Sequence, residues 1–254
     1  MDLGLAGAKA LITGGSRGIG YYIARQLMAE GASVAICARG AESLESSAAE
    51  LRTLGPGSVF THVCDIQDGD AVAAYASAAV EALGGLDIFV HNASGFGAPG
   101  PEGFQKSWDI DVLAAMRVVD VVTPALEAGG KGAILFIGST ASIQNFNKAS
   151  VSAYGAVKAA QRVLANDLAQ HLGRKRIRVN ALSPGATWFP GGSWDRTKEA
   201  NPQFYAGVEK SVPLGRLGTG EEIARAATFL VSPAGGWING THLVVDGGQA
   251  VGVQ

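Results

Sequence analysis

Tyr154 and Lys158 stand four residues apart in Tyr154-Gly155-Ala156-Val157-Lys158, a spacing that puts both side chains on one helix face, about 6 Å apart along the axis. A phenol can hand a proton to an alkoxide and take one back from an alcohol, which is the acid–base work that hydride transfer to and from a carbonyl requires. An isolated phenol titrates near ~10, too high for a base at neutral pH, but a cation about 4 Å away at an effective dielectric near 20 favours the phenolate by up to ~4 kcal/mol. Lys158 is placed to be that cation. Ser139 ends the apolar run Phe136-Ile137-Gly138-Ser139, and its hydroxyl can hydrogen-bond and polarise a substrate oxygen; the competing reading is a serine that caps the turn after it. A Tyr-x-x-x-Lys pattern occurs by chance in many helices, so its weight depends on its surroundings.

A second group can hold a dinucleotide. Thr13-Gly14-Gly15-Ser16-Arg17-Gly18-Ile19-Gly20 follows an apolar run and opens a helical pattern. Glycines there let the backbone turn tightly and approach a pyrophosphate, while the free N–H groups of the helix start face its charge. No Lys-Ser/Thr pair follows the last glycine, so the turn is not a P-loop. A cofactor with a free ribose 2′-hydroxyl wants a carboxylate about 20 residues further on. The second apolar run ends instead in Cys37-Ala38-Arg39. Arg39 with Arg17 suits a 2′-phosphate through charge-assisted bonds, which predicts NADP(H); the alternative is two solvated surface charges. Asp65 and Ile66 follow the third run, with Asp65 either accepting a bond from the adenine amino group or capping the next helix. Asn92-Ala93-Ser94 follows the fourth, where small residues let a loop lie under the adenosine ribose. Pro184-Gly185, after Asn180-Ala181-Leu182-Ser183, places backbone groups near the nicotinamide.

These residues need elements to position them. Apolar runs at 8–13, 33–38, 59–64, 86–91, 132–137, 177–182 and 241–245 read as strands, and patterns of helical spacing fill 18–30, 42–54, 68–83, 102–128 and 152–172. Strands this apolar, without in/out alternation, are buried on both faces and require helices above and below a parallel sheet. The expectation is a single-domain, doubly wound three-layer α/β sandwich over residues 1–254, whose ligands bind beyond the carboxyl ends of the strands. Every motif above falls at such an end. Residues 187–212, with Trp188, Phe189, Gly191, Gly192, Trp194, Phe204 and Tyr205, read as a lid with glycine hinges over an apolar carbonyl substrate; the aromatics could equally pack that segment onto the body.

Composition narrows the function classes. Twenty Lys+Arg against 22 Asp+Glu leave a formal charge of −2, with no basic block for nucleic acid. Every long apolar stretch is broken by charge before it could span a bilayer, and the first residues lack a secretory pattern, so a cytoplasmic protein without a membrane partner is expected. Cys37 and Cys64 lie in apolar runs and read as inert core thiols, with no metal site.

Taken together, TGGSRGIG, Asn92-Ala93-Ser94, Ser139 with YGAVK, NALSPG and VVDGG at residues 244–248 resemble the short-chain dehydrogenase/reductase family from Thr13 to Gly248, with a 3-oxoacyl-reductase-like character. The resemblance implies a Rossmann-type seven-stranded sheet, no metal requirement, a homodimer or homotetramer, and a catalytic group of Asn, Ser, Tyr and Lys. Ser139, Tyr154 and Lys158 match residue by residue. Tyr154 and Lys158 also count among the cofactor-binding positions. Three features depart from the pattern. The family's catalytic Asn falls on Asp111; there the backbone carbonyl holds a water that links the lysine to solvent, so a working relay is expected. Ser139 stands fifteen residues before Tyr154, slightly further than is usual, which extends the loop Gln144-Asn145-Phe146-Asn147-Lys148 on the substrate side. The threonine for the carboxamide falls early, at Thr187.

Two rival classes are a catalytically silent dinucleotide sensor, which has no need of Ser139, Tyr154 and Lys158, and a non-redox lyase such as a halohydrin dehalogenase, which replaces the lysine by arginine and loses the glycine turn. The reading is therefore an NADP(H)-dependent oxidoreductase that interconverts a ketone or aldehyde and an alcohol, with a small-molecule substrate that the sequence does not name.

Overall fold

In the computed structural model, residues 2–144 and 152–251 are described. Strands β1 (Lys9–Thr13), β2 (Ser33–Ala38), β3 (Val59–Val63), β4 (Ile88–His91), β5 (Ala133–Ile137), β6 (Arg178–Pro184) and β9 (His242–Val245) form one sheet, and the short β7 (Thr187–Trp188) and β8 (Gly218–Thr219) pair separately. The large sheet is parallel throughout and ordered β3-β2-β1-β4-β5-β6-β9. Chain order reverses between β1 and β4. A crevice opens at such a switch point beyond the strands' carboxyl ends, and the glycine turn and the loop after β4 meet there.

Helices α1 (Gly18–Ala29), α2 (Ala41–Leu51), α3 (Gly69–Leu83), α4 (Gly100–Trp108), α5 (Ala114–Gly129), α6 (Ala153–Leu172), α7 (Ser193–Ala200), α8 (Pro202–Ser211) and α9 (Gly220–Val231) complete the elements. The strand period of two divides the core. Leu11, Ala35, Phe89, Phe136 and Val179 meet α3, α5 and α6 on one face, while Ala10, Ile12, Ile36, Val90 and Leu182 meet α1, α2 and α9 on the other. Both faces are therefore apolar, as the uninterrupted strand sequences require. Cys37 and Cys64 are free and buried in this core. Among the described residues no helix is long and apolar enough to cross a membrane.

Three local features differ from the sequence expectation. The stretch read as one helix over 102–128 carries a π-helical turn at Asp109–Leu113, between α4 and α5. A π-turn inserts a residue into the ladder and loosens its carbonyls, which hydropathy spacing does not register. Second, α9 was not assigned from sequence, although Thr219 and Glu222 form a reciprocal capping box at its start and Ile223, Ala224, Ala227, Leu230 and Val231 are buried along one side. Third, β6 runs on through Pro184, two residues past the expected end at Leu182; its register pairs Pro184 with Val245 of the edge strand β9.

Candidate active site

The glycine turn has the shape its sequence predicts. Gly14 and Gly18 adopt φ of 68° and 59°, in the left-handed region that side-chain-bearing residues avoid. A β-carbon on Gly15 would lie 2.5 Å from Ile36 Cγ2, and one on Gly20 would lie 2.5 Å from the Gly14 carbonyl oxygen. Asn92 fixes the turn from the neighbouring loop: its side-chain amide donates to Thr13 O at 3.2 Å and Gly14 O at 3.0 Å. The Thr13 hydroxyl accepts from Asn92 N at 3.0 Å and Ala93 N at 3.3 Å. Its own proton is left for His91 Nδ1, 3.1 Å away. His91 is held neutral, its pKa lowered to about 4 by burial first and by the Lys158 charge second, so Nδ1 is the acceptor. No acidic side chain occupies the first turn of α1 and no side chain caps it. The turn fits a pyrophosphate in that it opens a helix N-terminus without acidic side chains, and its glycines pack the loop tightly against Ile36 and Asn92.

Arg17 and Arg39 are exposed at this end of the sheet, and Ser16 is half-buried beside them. Among the described residues neither arginine makes a salt bridge. Asp65 is exposed after β3 and accepts from Gln67 N at 3.1 Å, whereas the cap of α3 is Asp68, which accepts from Asp70 N and Ala71 N. Ile66 is buried in the core, and Ile19 packs against the opposite cluster. Ser94 Oγ accepts from Phe96 N at 3.2 Å.

At the other end of the crevice, Lys158 is almost completely buried: its ammonium donates to Ile137 O and Gln161 Oε1, each at 2.9 Å, and forms an ion pair with Asp111 Oδ1 at 2.9 Å that lies outside hydrogen-bond geometry. Asp111 sits in the π-turn and is fully buried; its second carboxylate oxygen accepts from Gly95 N at 2.8 Å, and its backbone carbonyl accepts from Gln161 Nε2 at 2.6 Å. Tyr154 lies one turn before Lys158 on α6, with the ammonium 6.0 Å from its ring centroid. Phe96 stacks on the Tyr154 ring at 6.4 Å and 11°. Its own backbone has φ of 57°, and its side chain is 75% exposed. Ser139 stands at the end of β5, where its hydroxyl oxygen accepts from Ala141 N at 3.1 Å. That accepting bond does cap the following turn, and it leaves the hydroxyl proton for a substrate oxygen.

Pro184 and Gly185 close β6 at the same rim, with Gly185 packed so that a β-carbon would meet Asp246 Cβ at 2.6 Å. The Thr187 hydroxyl is buried and donates back to Gly185 O at 3.0 Å. In the segment after it, Trp194 stacks on Phe204 and meets Tyr205 edge-on, while Phe189 packs against Tyr22 and lies over Gly18. Of these aromatics, the Trp194 group packs α7 on α8, and Phe189 reaches the body of the fold. In the loop expected at the substrate side, Gln144 is described, and 145–151 lie outside the described residues.

Lys158 thus joins Tyr154, Asp111 and the end of β5 at Ile137, two residues before Ser139, and Asn92 joins the loop after β4 to the glycine turn. Sequence reasoning missed Gln161, His91 and Phe96. Gln161 carried a usable signal: it stands three residues after Lys158, a polar residue on a helix side otherwise lined by buried Ala153, Val157, Ala165 and Leu168. His91 and Phe96 had no signal, since their partners lie far away in the chain.

Residues 14–250 match the family model described as enoyl-(acyl carrier protein) reductase. Over 261 residues the chain is 36% identical to an isoepoxydon dehydrogenase, patN, of Penicillium expansum, which covers 100% of this chain and 99% of the relative. Among solved structures, L-sorbose reductase from Gluconobacter frateurii, complexed with NADPH and L-sorbose, matches with a TM-score of 0.91 at 29% identity over 100% of both chains. A 7α-hydroxysteroid dehydrogenase complexed with NADH and 7-oxo glycochenodeoxycholic acid matches with a TM-score of 0.87 at 35% identity, over 97% of this chain and 96% of that one.

Proposed function

The chain belongs to the short-chain dehydrogenase/reductase family and is an oxidoreductase of the alcohol/carbonyl couple, and from that premise we propose that it uses NADP(H), with Tyr154 as the general acid and base. The observation that carries the reading is that Lys158 stands 6.0 Å from the Tyr154 ring centroid and donates to Ile137 O at the end of β5, two residues before Ser139, while the turn that opens α1 has glycines at positive φ and no acidic side chain in its first turn. Gly14, Ser16, Arg17, Gly18, Ile19 and Gly20 hold the phosphates. Asp65 and Ile66 meet the adenine, Asn92, Ala93 and Ser94 line the adenosine ribose, and Pro184, Gly185 and Thr187 face the carboxamide. When bound, the nicotinamide supplies the hydride for reduction or accepts it for oxidation.

Tyr154 Oη gives its proton to the carbonyl oxygen as that oxygen gains negative charge, and withdraws it from the alcohol in the reverse direction. Ser139 Oγ–H donates to the same oxygen and stabilises the developing alkoxide. The Lys158 ammonium stands one helical turn away, 6.0 Å from the Tyr154 ring centroid. Asp111 orients that ammonium through Oδ1 and ties it, through Oδ2, to Gly95 in the loop after β4. The segment 187–212 closes over the substrate. Exposed Arg17 and Arg39 support a 2′-phosphate on the adenosine ribose and so favour NADPH over NADH.

The relatives named above carry substrates as different as a sugar and a steroid, so the carbonyl compound is identified by assay. NADPH absorbance followed over a panel of cyclic ketones, ketoses and 3-oxoacyl thioesters tests the reading. Turnover with at least one, faster with NADPH than with NADH, is expected. Turnover that prefers NADH would remove the assignment to NADP(H), and halide release from a halohydrin without any cofactor would replace the redox reading. A homodimer or homotetramer is proposed for the assembly, to be checked by light scattering.

A further inference from the structure

We propose that Gln161 is a positioning residue for the reaction, a side-chain bridge that sets where the Lys158 ammonium stands. The inference rests on the carbonyl-reductase reading above. Gln161 Oε1 accepts from Lys158 Nζ at 2.9 Å, and Gln161 Nε2 donates to the Asp111 carbonyl at 2.6 Å. The orientation of the amide is dictated by its partners: an ammonium only donates and a carbonyl only accepts, so oxygen must face the lysine and nitrogen the aspartate. All three residues are buried, so each bond forms out of competition with water and the loss of either leaves an unpaired polar group.

The geometry gives glutamine a specific advantage. Glutamate at 161 would set an acceptor against the Asp111 carbonyl, asparagine would fall one methylene short, and an aliphatic chain would satisfy neither partner. An amide does not release its N–H proton at neutral pH, so the bridge fixes positions and does not conduct protons. Gln161 also joins two segments far apart in the chain, the π-turn that carries Asp111 and the helix that carries Tyr154 and Lys158. The ammonium is thereby held at a set distance from the phenol while Asp111 attracts it from one side only.

The test compares Gln161→Leu with Gln161→Ala in the full-length protein, by kcat and KM for a turned-over ketone and by Tm. Leucine fills the volume and removes both bonds of the bridge; alanine leaves room for a water to bridge the same two atoms. The account predicts that kcat of Gln161→Leu falls at least about tenfold below that of Gln161→Ala, the size of a lost bond to a charged group. It also predicts that KM for the ketone stays within about threefold, the mark of a loss confined to the reacting state, while Gln161→Leu melts no lower than Gln161→Ala. If leucine prevents folding, Gln161→Met, equally apolar and more flexible, carries the same prediction. Activity that instead follows Tm, with the apolar variant equal to or faster than alanine, would overturn the proposal and leave Gln161 a packing residue. Tyr154→Phe is run in parallel. An inactive Tyr154→Phe beside a fully active Gln161→Leu removes the bridge alone, whereas an unimpaired Tyr154→Phe removes the reading beneath it.

Discussion

The Lys158 ammonium stands 2.9 Å from Asp111 Oδ1, with the two side chains 2% and 0% exposed. Burying two charges costs about as much as their attraction returns, so such a pair is a weak stabiliser as a whole, yet removing one partner strands the other. Its value here is geometric. Asp111 also accepts from Gly95 N through Oδ2, so one carboxylate ties the loop after β4 to the helix of Tyr154.

Replacing the carboxylate separates charge from shape. Asp111→Asn keeps the backbone carbonyl and a side-chain oxygen, so its kcat is expected to remain within about tenfold of the parent, the worth of one charged hydrogen bond. Asp111→Leu strands a buried ammonium, costs about 3–5 kcal/mol of stability, and abolishes turnover. Urea unfolding and steady-state kinetics on both variants check this. Complete loss of activity in Asp111→Asn would mean that the negative charge itself is required.

The proposed NADP(H) preference makes Arg39 the residue to exchange. Arg39→Asp exchanges a partner for the 2′-phosphate with one for a ribose hydroxyl. The ratio of kcat/KM for NADPH to that for NADH is expected to fall at least about tenfold, one charge-assisted bond. An unchanged ratio would place Arg39 outside the cofactor site.

Stability should respond to pH through His91. Its pKa is about 4 in the fold against an ordinary 6.5, lowered first by burial and then by Lys158. Below 6.5 the unfolded chain takes up a proton that the folded one refuses. The stability held above that pH is therefore lost progressively between pH 6.5 and about 4, by about 3 kcal/mol in total. Urea midpoints measured at pH 7.5 and pH 5 should differ by more in the parent than in His91→Asn.

The loop over the tyrosine sets another expectation. Gly97 has φ of 65°, and a β-carbon there would overlap the Tyr154 backbone, at 2.6 Å from its Cβ. Gly97→Ala must push the Phe96 loop off the tyrosine or shift the start of α6. Gly100→Ala shares a positive φ, 79°, but its β-carbon would meet nothing within 4 Å, so the strained backbone costs both variants about 1–3 kcal/mol and a larger fall in kcat is expected in Gly97→Ala. Equal behaviour of the two variants would show that the loop has room to spare.

Much of this was legible in the chain. Alternation of apolar runs with helical patterns identified the doubly wound sheet, because strands buried on both faces have no other stable surroundings, and the glycine turn was readable because each glycine answers a local steric demand. Ser139, Tyr154 and Lys158 were legible because each sits at a fixed offset from a strand end or along a helix. The π-turn was not, since an inserted residue leaves hydropathy unchanged. The His91–Thr13 pair joins residues 78 apart in sequence and Gln161–Asp111 joins residues 50 apart. Such bonds leave no periodic trace in the chain. Helix α9 was readable in principle, from the Thr219–Glu222 cap and the apolar side behind it.

The central claim is that Tyr154 moves the proton, and Tyr154→Phe tests it most directly, because the ring and its stacking partner Phe96 remain while the hydroxyl is lost. With NADPH and a ketone that the parent reduces, the account predicts a fall in kcat of at least about a hundredfold, the lower range for loss of a general acid, with cofactor binding retained by fluorescence titration. A kcat equal to that of the parent would contradict it.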